Sequence, residues 1–219
     1  MSETIFYDLD FVNKRCEYEQ VYTLRFSPRQ PVPFKAGQWA HVGFDPQGLD
    51  KAREHNLSFA SAPGDAYIEF SLDFATGTAY KQQLAALTPA DSVKAFRING
   101  KFVVNPSAPS PIVFLTGGIG ITPVRSIIRD LQQRGVSLPW SLLHVARTEF
   151  LYRAELSLLN NPQWRVHHEG LDEVWPNILQ QPDETRFYLS GSERFVSAMK
   201  ERLMYEDIDS SRIFTESFL

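Results

Sequence analysis

Alternation of apolar and polar residues dominates the first half of the chain. Over 67–74, Ile68, Phe70, Leu72 and Phe74 fall on one face and Tyr67, Glu69, Ser71 and Asp73 on the other. A period of two predicts a half-buried antiparallel strand. The same period runs over 17–26, with Tyr18, Tyr22, Leu24 and Phe26 on one face. Shorter strands are predicted over 38–44, 57–60 and 92–98. One helix interrupts them, over 78–87, where good helix formers run up to Pro89. Short strands with turn residues between them predict a small antiparallel barrel.

The period then changes. Residues 105–111 (NPSAPSP) hold three prolines, a linker composition that marks a domain boundary. Beyond it, 112–116 (IVFLT) reads as a short, fully apolar strand. A helix is predicted over 122–134, with Thr122 as N-cap, Pro123 in the first helical position and Gly135 just past the end. Its apolar face is Val124, Ile127, Ile128 and Leu131, the spacing of an amphipathic helix. Strands are predicted over 140–146, 165–168, 187–189 and 213–215, and helices over 150–159, 172–179 and 192–205. Strand and helix in alternation predict a parallel sheet wound with helices on both faces. The expected fold class is therefore two domains: an N-terminal antiparallel β-barrel over 1–107 and a C-terminal α/β domain with a parallel sheet over 108–219.

Composition narrows the function. The 219 residues are 43% apolar and 22% charged, ordinary for a folded protein, and the net charge of −4 offers no electrostatic footprint for nucleic acid. The single cysteine, Cys16, cannot build an internal disulfide, a cysteine-based zinc site or an iron–sulfur cluster. The most apolar stretch, 112–124, is far shorter than the roughly 20 residues of a membrane span. Residues 1–10 lack a basic start and an apolar core, so no signal peptide is expected there, and a cytoplasmic location is. No zinc pattern is found among the five histidines: His167 and His168, adjacent on a predicted strand, point to opposite faces.

The most informative segment is 116–123 (TGGIGITP), a glycine-rich turn between a buried strand and a helix. Gly118 and Gly120 allow a ligand close to the backbone, and free N–H groups at a helix start favour an anion such as a pyrophosphate. Pro123 stands where the usual dinucleotide fingerprint has its third glycine. The same residues also suit a tight turn that merely connects strand to helix.

A barrel followed by a parallel nucleotide domain, joined at this turn, resembles the ferredoxin–NADP reductase family from about Tyr7 to Leu219. Four segments carry the likeness. In the first, GGIGITP is similar to the family's pyrophosphate turn for the nicotinamide cofactor, which implies cofactor contacts from Thr116, Gly117, Gly118, Gly120, Thr122 and Pro123. In the second, 55–63 (HNLSFASAP) resembles the flavin motif Arg-x-Tyr-Ser, with His55 at the arginine for the FAD pyrophosphate, Leu57 at the aromatic that stacks on the flavin, and Asn56 and Ser58 beside them. The His form is similar to that of ferric reductases and NADPH oxidases. In the third, Gly77, Thr78 and Ala79 open the barrel's helix where the family receives the FAD pyrophosphate, with Asp73 just before them. In the fourth, Ser190-Gly191 resembles the family's Cys-Gly or Ser-Gly beside the nicotinamide, and Glu216 with Phe218 resembles the terminal Glu-x-aromatic.

The likeness implies an enzyme, an FAD-dependent NAD(P)H reductase in which the cofactors carry the chemistry and the protein supplies position and field. Ser58, Ser190 and Glu216 are its implied catalytic residues, and Phe218 an aromatic gate displaced by the nicotinamide. With one cysteine and no cluster of its own, the chain is expected to pass electrons to a separate acceptor: a ferredoxin, a flavodoxin, a ferric complex, a free flavin or an oxygenase component. His55 and Leu57, in place of Arg and an aromatic, imply weaker FAD binding. Arg147, after the second strand of the α/β half, leans the choice slightly toward NADPH over NADH, an Arg being able to accept the 2′-phosphate; a solvated arginine at a strand end fits as well. Two other readings stay open: an NAD(P)H:flavin reductase that uses flavin as substrate, and a flavin-free binding or regulatory subunit.

Overall fold

A computed structural model describes residues 4–44, 54–105, 107 and 110–218. Residues 1–3 of the expected N-terminal segment, Pro106, Ala108 and Pro109 of the expected linker, and the final Leu219 lie outside the described residues. By internal contacts the chain divides into two units. The first is Met1–Val103 with Arg125–Asp130; the second is Val104–Val124 with Leu131–Leu219.

Among its described residues the first unit has six antiparallel strands: β1 (Phe6–Tyr18), β2 (Val21–Pro28), β3 (Trp39–Gly43), β4 (Glu54–Ser58), β5 (Ile68–Asp73) and β6 (Ser92–Asn99). Their order is β4-β3-β6-β1-β2-β5. A bridge between Phe59 and Phe70 and a bond from Ala60 N–H to Glu69 O (2.8 Å) join the two ends and curl the sheet into a barrel. Leu9, Leu24, Phe26, Phe59 and Phe70 fill it, and the helix α1 (Ala79–Ala85) adds the buried Tyr80 and Leu84. Each such side chain contributes about 1.5–3 kcal/mol. The Tyr80 hydroxyl donates to Val42 O (2.9 Å), so the ring is buried with its polar atom satisfied.

Two expectations for this unit need correction. The alternation over 17–26 is not one strand but the tip of the β1–β2 hairpin, with Tyr18 opposite Val21 and Glu19 in the left-handed region at φ 42°. On β5, Glu69 and Ser71 are buried rather than solvated. The Arg25 and Arg125 guanidinium groups take the Glu69 carboxylate, each at 2.7 Å, and Ser71 shares a hydrogen bond with Thr23 (2.7 Å).

The second unit is a five-stranded, wholly parallel sheet: β7 (Ile112–Gly117), β8 (Trp140–Ala146), β9 (Gln163–His167), β10 (Arg186–Ser192) and β11 (Ile213–Phe218), in the order β11-β10-β7-β8-β9. The helix α2 (Ile121–Gln133) begins and ends in this unit, its middle Arg125–Asp130 grouping with the first, and α3 (Arg153–Leu156), α4 (Leu171–Leu179) and α5 (Glu193–Tyr205) lie wholly within it. Leu171, Trp175 and Ile178 of α4 and Val196, Met199 and Leu203 of α5 pack with Val113, Leu115, Leu143 and Val145 of the sheet. The helix expected over 150–159 is only the four residues of α3, because Tyr152 is held left-handed at φ 60°. His168 is not on β9 but opens a 3-10 turn. No helix among the described residues is long and apolar enough to cross a membrane.

Candidate functional site

The sheet of the second unit runs β7, β8, β9 in one direction and then returns to place β10 on the other side of β7. This reversal makes the β7–β10 boundary a topological switch point, and ligands of open parallel sheets bind there, beyond the carboxyl ends of the strands. The glycine turn lies at that spot. Gly118–Gly120 form a 3-10 turn that leads into α2 at Ile121. Gly118 is left-handed at φ 54°, with open space where a Cβ would stand. At Gly120 a Cβ would come within 2.3 Å of Ser190 O, and at Gly117 within 2.7 Å of the Phe195 ring. Backbone therefore meets backbone across the switch point, and only glycine fits Gly120.

Thr122 is not the N-cap of α2. The Gly118–Gly120 turn already supplies helical backbone, so α2 starts one residue earlier, at Ile121, and the Thr122 hydroxyl instead donates to Ile119 O (2.7 Å). Pro123, buried, is its third residue, still inside the first turn where the missing N–H costs nothing.

Register lines four polar residues across the carboxyl ends of the strands. Glu216 pairs with Ser190, Ser190 with Thr116 and Thr116 with His144. Partners in adjacent parallel strands share a face. The Ser190 hydroxyl is fully buried without a hydrogen-bond partner, whereas that of Thr116 donates to Leu143 O (3.2 Å). Burial pushes the half-buried Glu216 carboxyl up to about 7, where it can hold a proton near neutral pH. Gly191 follows Ser190 against the Phe195 ring, and Phe218 ends β11 opposite Ser192. Arg147 is exposed just beyond β8.

The sequence pattern had not singled out Phe195 or His144. His144 is buried, and its Nε2 lies 2.9 Å from Gly118 O. A lone histidine in a mostly apolar strand carries no signal for a bond to the turn that follows the neighbouring strand.

In the first unit the expected flavin residues are local neighbours. His55, Asn56, Leu57 and Ser58 form β4, with His55 and Asn56 exposed and Leu57 packed against the barrel core. The Ser58 hydroxyl is buried and has no hydrogen-bond partner. The His55 ring sits 4.4 Å from that of Tyr80. Although His55 is exposed as a residue, partial desolvation of its ring against Tyr80, and then the charge of Lys81, hold it below its ordinary value, so it is mostly neutral at pH 7. The cation beside it is Lys81, also unforeseen, whose Nζ donates to Thr76 Oγ1 (2.7 Å). Gly77, Thr78 and Ala79 are exposed at the start of α1, where Thr78 is the N-cap and accepts from Lys81 N–H (3.3 Å). Asp73 closes its own turn by accepting from Ala75 N–H (2.8 Å). Among the described residues no group of His, Cys, Asp and Glu is placed to hold a metal ion.

No protein-family model matches the chain. Among curated proteins it is 32% identical over 139 residues to ferredoxin–NADP reductase B of Sorangium cellulosum (strain So ce56), covering 62% of this chain and 56% of the relative. It is 30% identical over 219 residues to the tetrachlorobenzoquinone reductase of Sphingobium chlorophenolicum, covering 90% of this chain and 62% of the relative. The chain thus spans a little over half the length of these curated relatives. In structure it is similar to a ferredoxin NADP+ reductase from Neisseria gonorrhoeae with bound FAD and NADP, at 17% identity and a TM-score of 0.80, covering 99% of both chains. The antiparallel barrel, the parallel sheet with its glycine turn and these likenesses agree: in fold and in sequence the chain is similar to the ferredoxin–NADP reductases and related FAD- and NAD-binding reductases.

Proposed function

We propose that the chain is an NAD(P)H-dependent flavoprotein reductase that takes hydride from NAD(P)H and passes electrons to a separate acceptor. The observation that carries this reading is the row Glu216–Ser190–Thr116–His144 at the switch point, beside a glycine turn open at Gly118. We assign residues 1–107 to the flavin and 108–219 to the nicotinamide nucleotide.

The residues present fit both ligands. Ser58 and Ser190 each bury a hydroxyl with no partner inside the protein, a state that costs about 1–3 kcal/mol unless a ligand completes it. Bound FAD would supply a hydride acceptor that can release electrons one at a time. Lys81 and His55, with the exposed start of α1, would hold its pyrophosphate; Ser58 would donate to or accept from its ring. Gly118 and Gly120 admit the nucleotide pyrophosphate to the turn. Ser190 and Glu216 keep the nicotinamide pocket polar, and a Glu216 that is protonated near neutral pH does so without placing full negative charge there. Arg147 is our candidate for the 2′-phosphate of NADPH, with a slight lean to that cofactor. We place the reaction in the cytoplasm.

The names of the relatives suggest the acceptor class, a ferredoxin in one case and a quinone in the other. A second reading, flavin as a diffusing substrate, is favoured by one observation: His55 is mostly neutral and packed on Tyr80, so β4 offers no fixed positive charge to the flavin. The absorbance spectrum of the purified chain tests both. Flavin bands that survive gel filtration support the first; a colourless protein that oxidises NAD(P)H only with added FAD or FMN supports the second. No oxidation of either nucleotide with flavin and ferricyanide present would sink both.

A further inference from the structure

The glycine turn has two carbonyls to satisfy. Gly118 O accepts from Ile121 N–H and lies 2.9 Å from His144 Nε2; Ile119 O accepts from Ile121 N–H and from the Thr122 hydroxyl. Because the partner of His144 is a carbonyl, Nε2 carries the proton and donates. Burial keeps the ring neutral, with its value pushed down to about 4 despite the bond to Gly118, so the donor does not become a buried cation anywhere near neutral pH. The ring is fixed by its place on β8 opposite Thr116 and by an edge contact with Phe150 at 5.5 Å.

A trans peptide points its C=O and its N–H in opposite directions. Holding Gly118 O toward His144 therefore turns the Ile119 N–H to the other side of the turn. Gly118 is left-handed with open space where a Cβ would stand, so besides His144 this peptide is restrained by the turn's own bond from Ile121 N–H and not by side-chain packing at Gly118. The side-chain bond supplies the restraint that glycine lacks.

We propose that His144 is a positioning residue for the anion-binding turn: its Nε2–H, by holding Gly118 O, presents the Ile119 N–H to the pyrophosphate of the nicotinamide nucleotide. This rests on the reading of the second unit as the nucleotide site. Removing the donor leaves the peptide held by Ile121 N–H alone and weakens ligands in proportion to their use of the turn. It leaves a ligand without a pyrophosphate unaffected.

The test uses the full chain and two probes, ADP-ribose, which carries a pyrophosphate, and adenosine 2′-phosphate, which does not. Dissociation constants are measured by calorimetry for wild type, His144→Leu, His144→Gln and His144→Asn. Gln can place an amide N–H near the position of Nε2; Asn places it near Nδ1. ADP-ribose is expected to bind about three- to tenfold more weakly to the Leu and Asn variants, and the Gln variant to stay within about twofold of wild type. Adenosine 2′-phosphate should bind all four alike. If His144→Leu does not fold, the Gln–Asn pair carries the comparison. Equal ADP-ribose affinity in Gln and Asn, or equal losses for the two probes, would overturn the role of His144. A wild-type chain that binds neither probe would instead overturn the nucleotide site itself.

Discussion

Ser190 and Glu216 stand opposite each other in the β10–β11 ladder, the first with a buried hydroxyl that has no partner, the second with a carboxyl raised by burial to about 7. The carboxyl makes stability depend on pH. A carboxyl whose folded value lies above its ordinary 4.5 binds its proton more tightly in the folded state. Its contribution is fully present below about 4.5 and is lost as pH rises through about 7. Glu216→Gln removes that loss. The thermal midpoints of variant and wild type should agree at pH 4.5, and the variant should melt higher at pH 8. A difference independent of pH would mean the carboxyl is not desolvated.

The ion pairs at Glu69 are unequal. Burial alone would raise its carboxyl, but hydrogen bonds and charge from Arg125 and then Arg25 outweigh that and hold it below the usual range. Arg125 is only 4% exposed and also donates to Ala60 O (3.0 Å), whereas the Arg25 side chain is 37% exposed. Removing one partner of a buried pair costs about 3–5 kcal/mol, and an exposed pair contributes about 0–1 kcal/mol. Urea melts should therefore show large losses for Glu69→Ala and Arg125→Ala and a small one for Arg25→Ala.

On the proposed flavin site, added positive charge at β4 is expected to raise FAD affinity. His55→Arg should add a charge-assisted bond of about 1.5–3 kcal/mol, tightening FAD by about ten- to a hundredfold. Lys81→Ala should loosen it. Both are read by FAD titration of the full chain. If His55→Arg binds FAD no better, His55 does not meet the pyrophosphate.

Arg147 is expected to read the 2′-phosphate. In Arg147→Ala, kcat/KM should fall about tenfold for NADPH and little for NADH, the worth of one charge-assisted bond. Equal losses would withdraw the lean toward NADPH.

Much of the architecture was legible because period two and alternating strand–helix order are local properties. What escaped depends on partners distant in sequence. Glu69 looked solvated on β5 because the arginine that neutralises it lies on α2. The β1–β2 turn passed unnoticed because Glu19 and Gln20 carry no glycine, proline or asparagine, and the alternation on either side runs through it. Thr122 and Pro123 read as a helix start, yet the glycines before them had already begun the turn. The flavin segment was found only by likeness; His55, Leu57 and Ser58 alone describe an ordinary strand.

Among the described residues β11 pairs with one neighbour only, and none of the six residues from Ile213 to Phe218 is fully buried, while β7, β8 and β10 are buried almost throughout. An edge strand of this kind can detach in a local opening far cheaper than global unfolding. Such an opening would carry away Glu216 and Phe218 and leave the glycine turn, His144 and Ser190 in place. The second unit could thus retain a grip on the phosphates while losing Glu216 and Phe218 from the place proposed for the nicotinamide, so that occupancy and turnover fail at different temperatures.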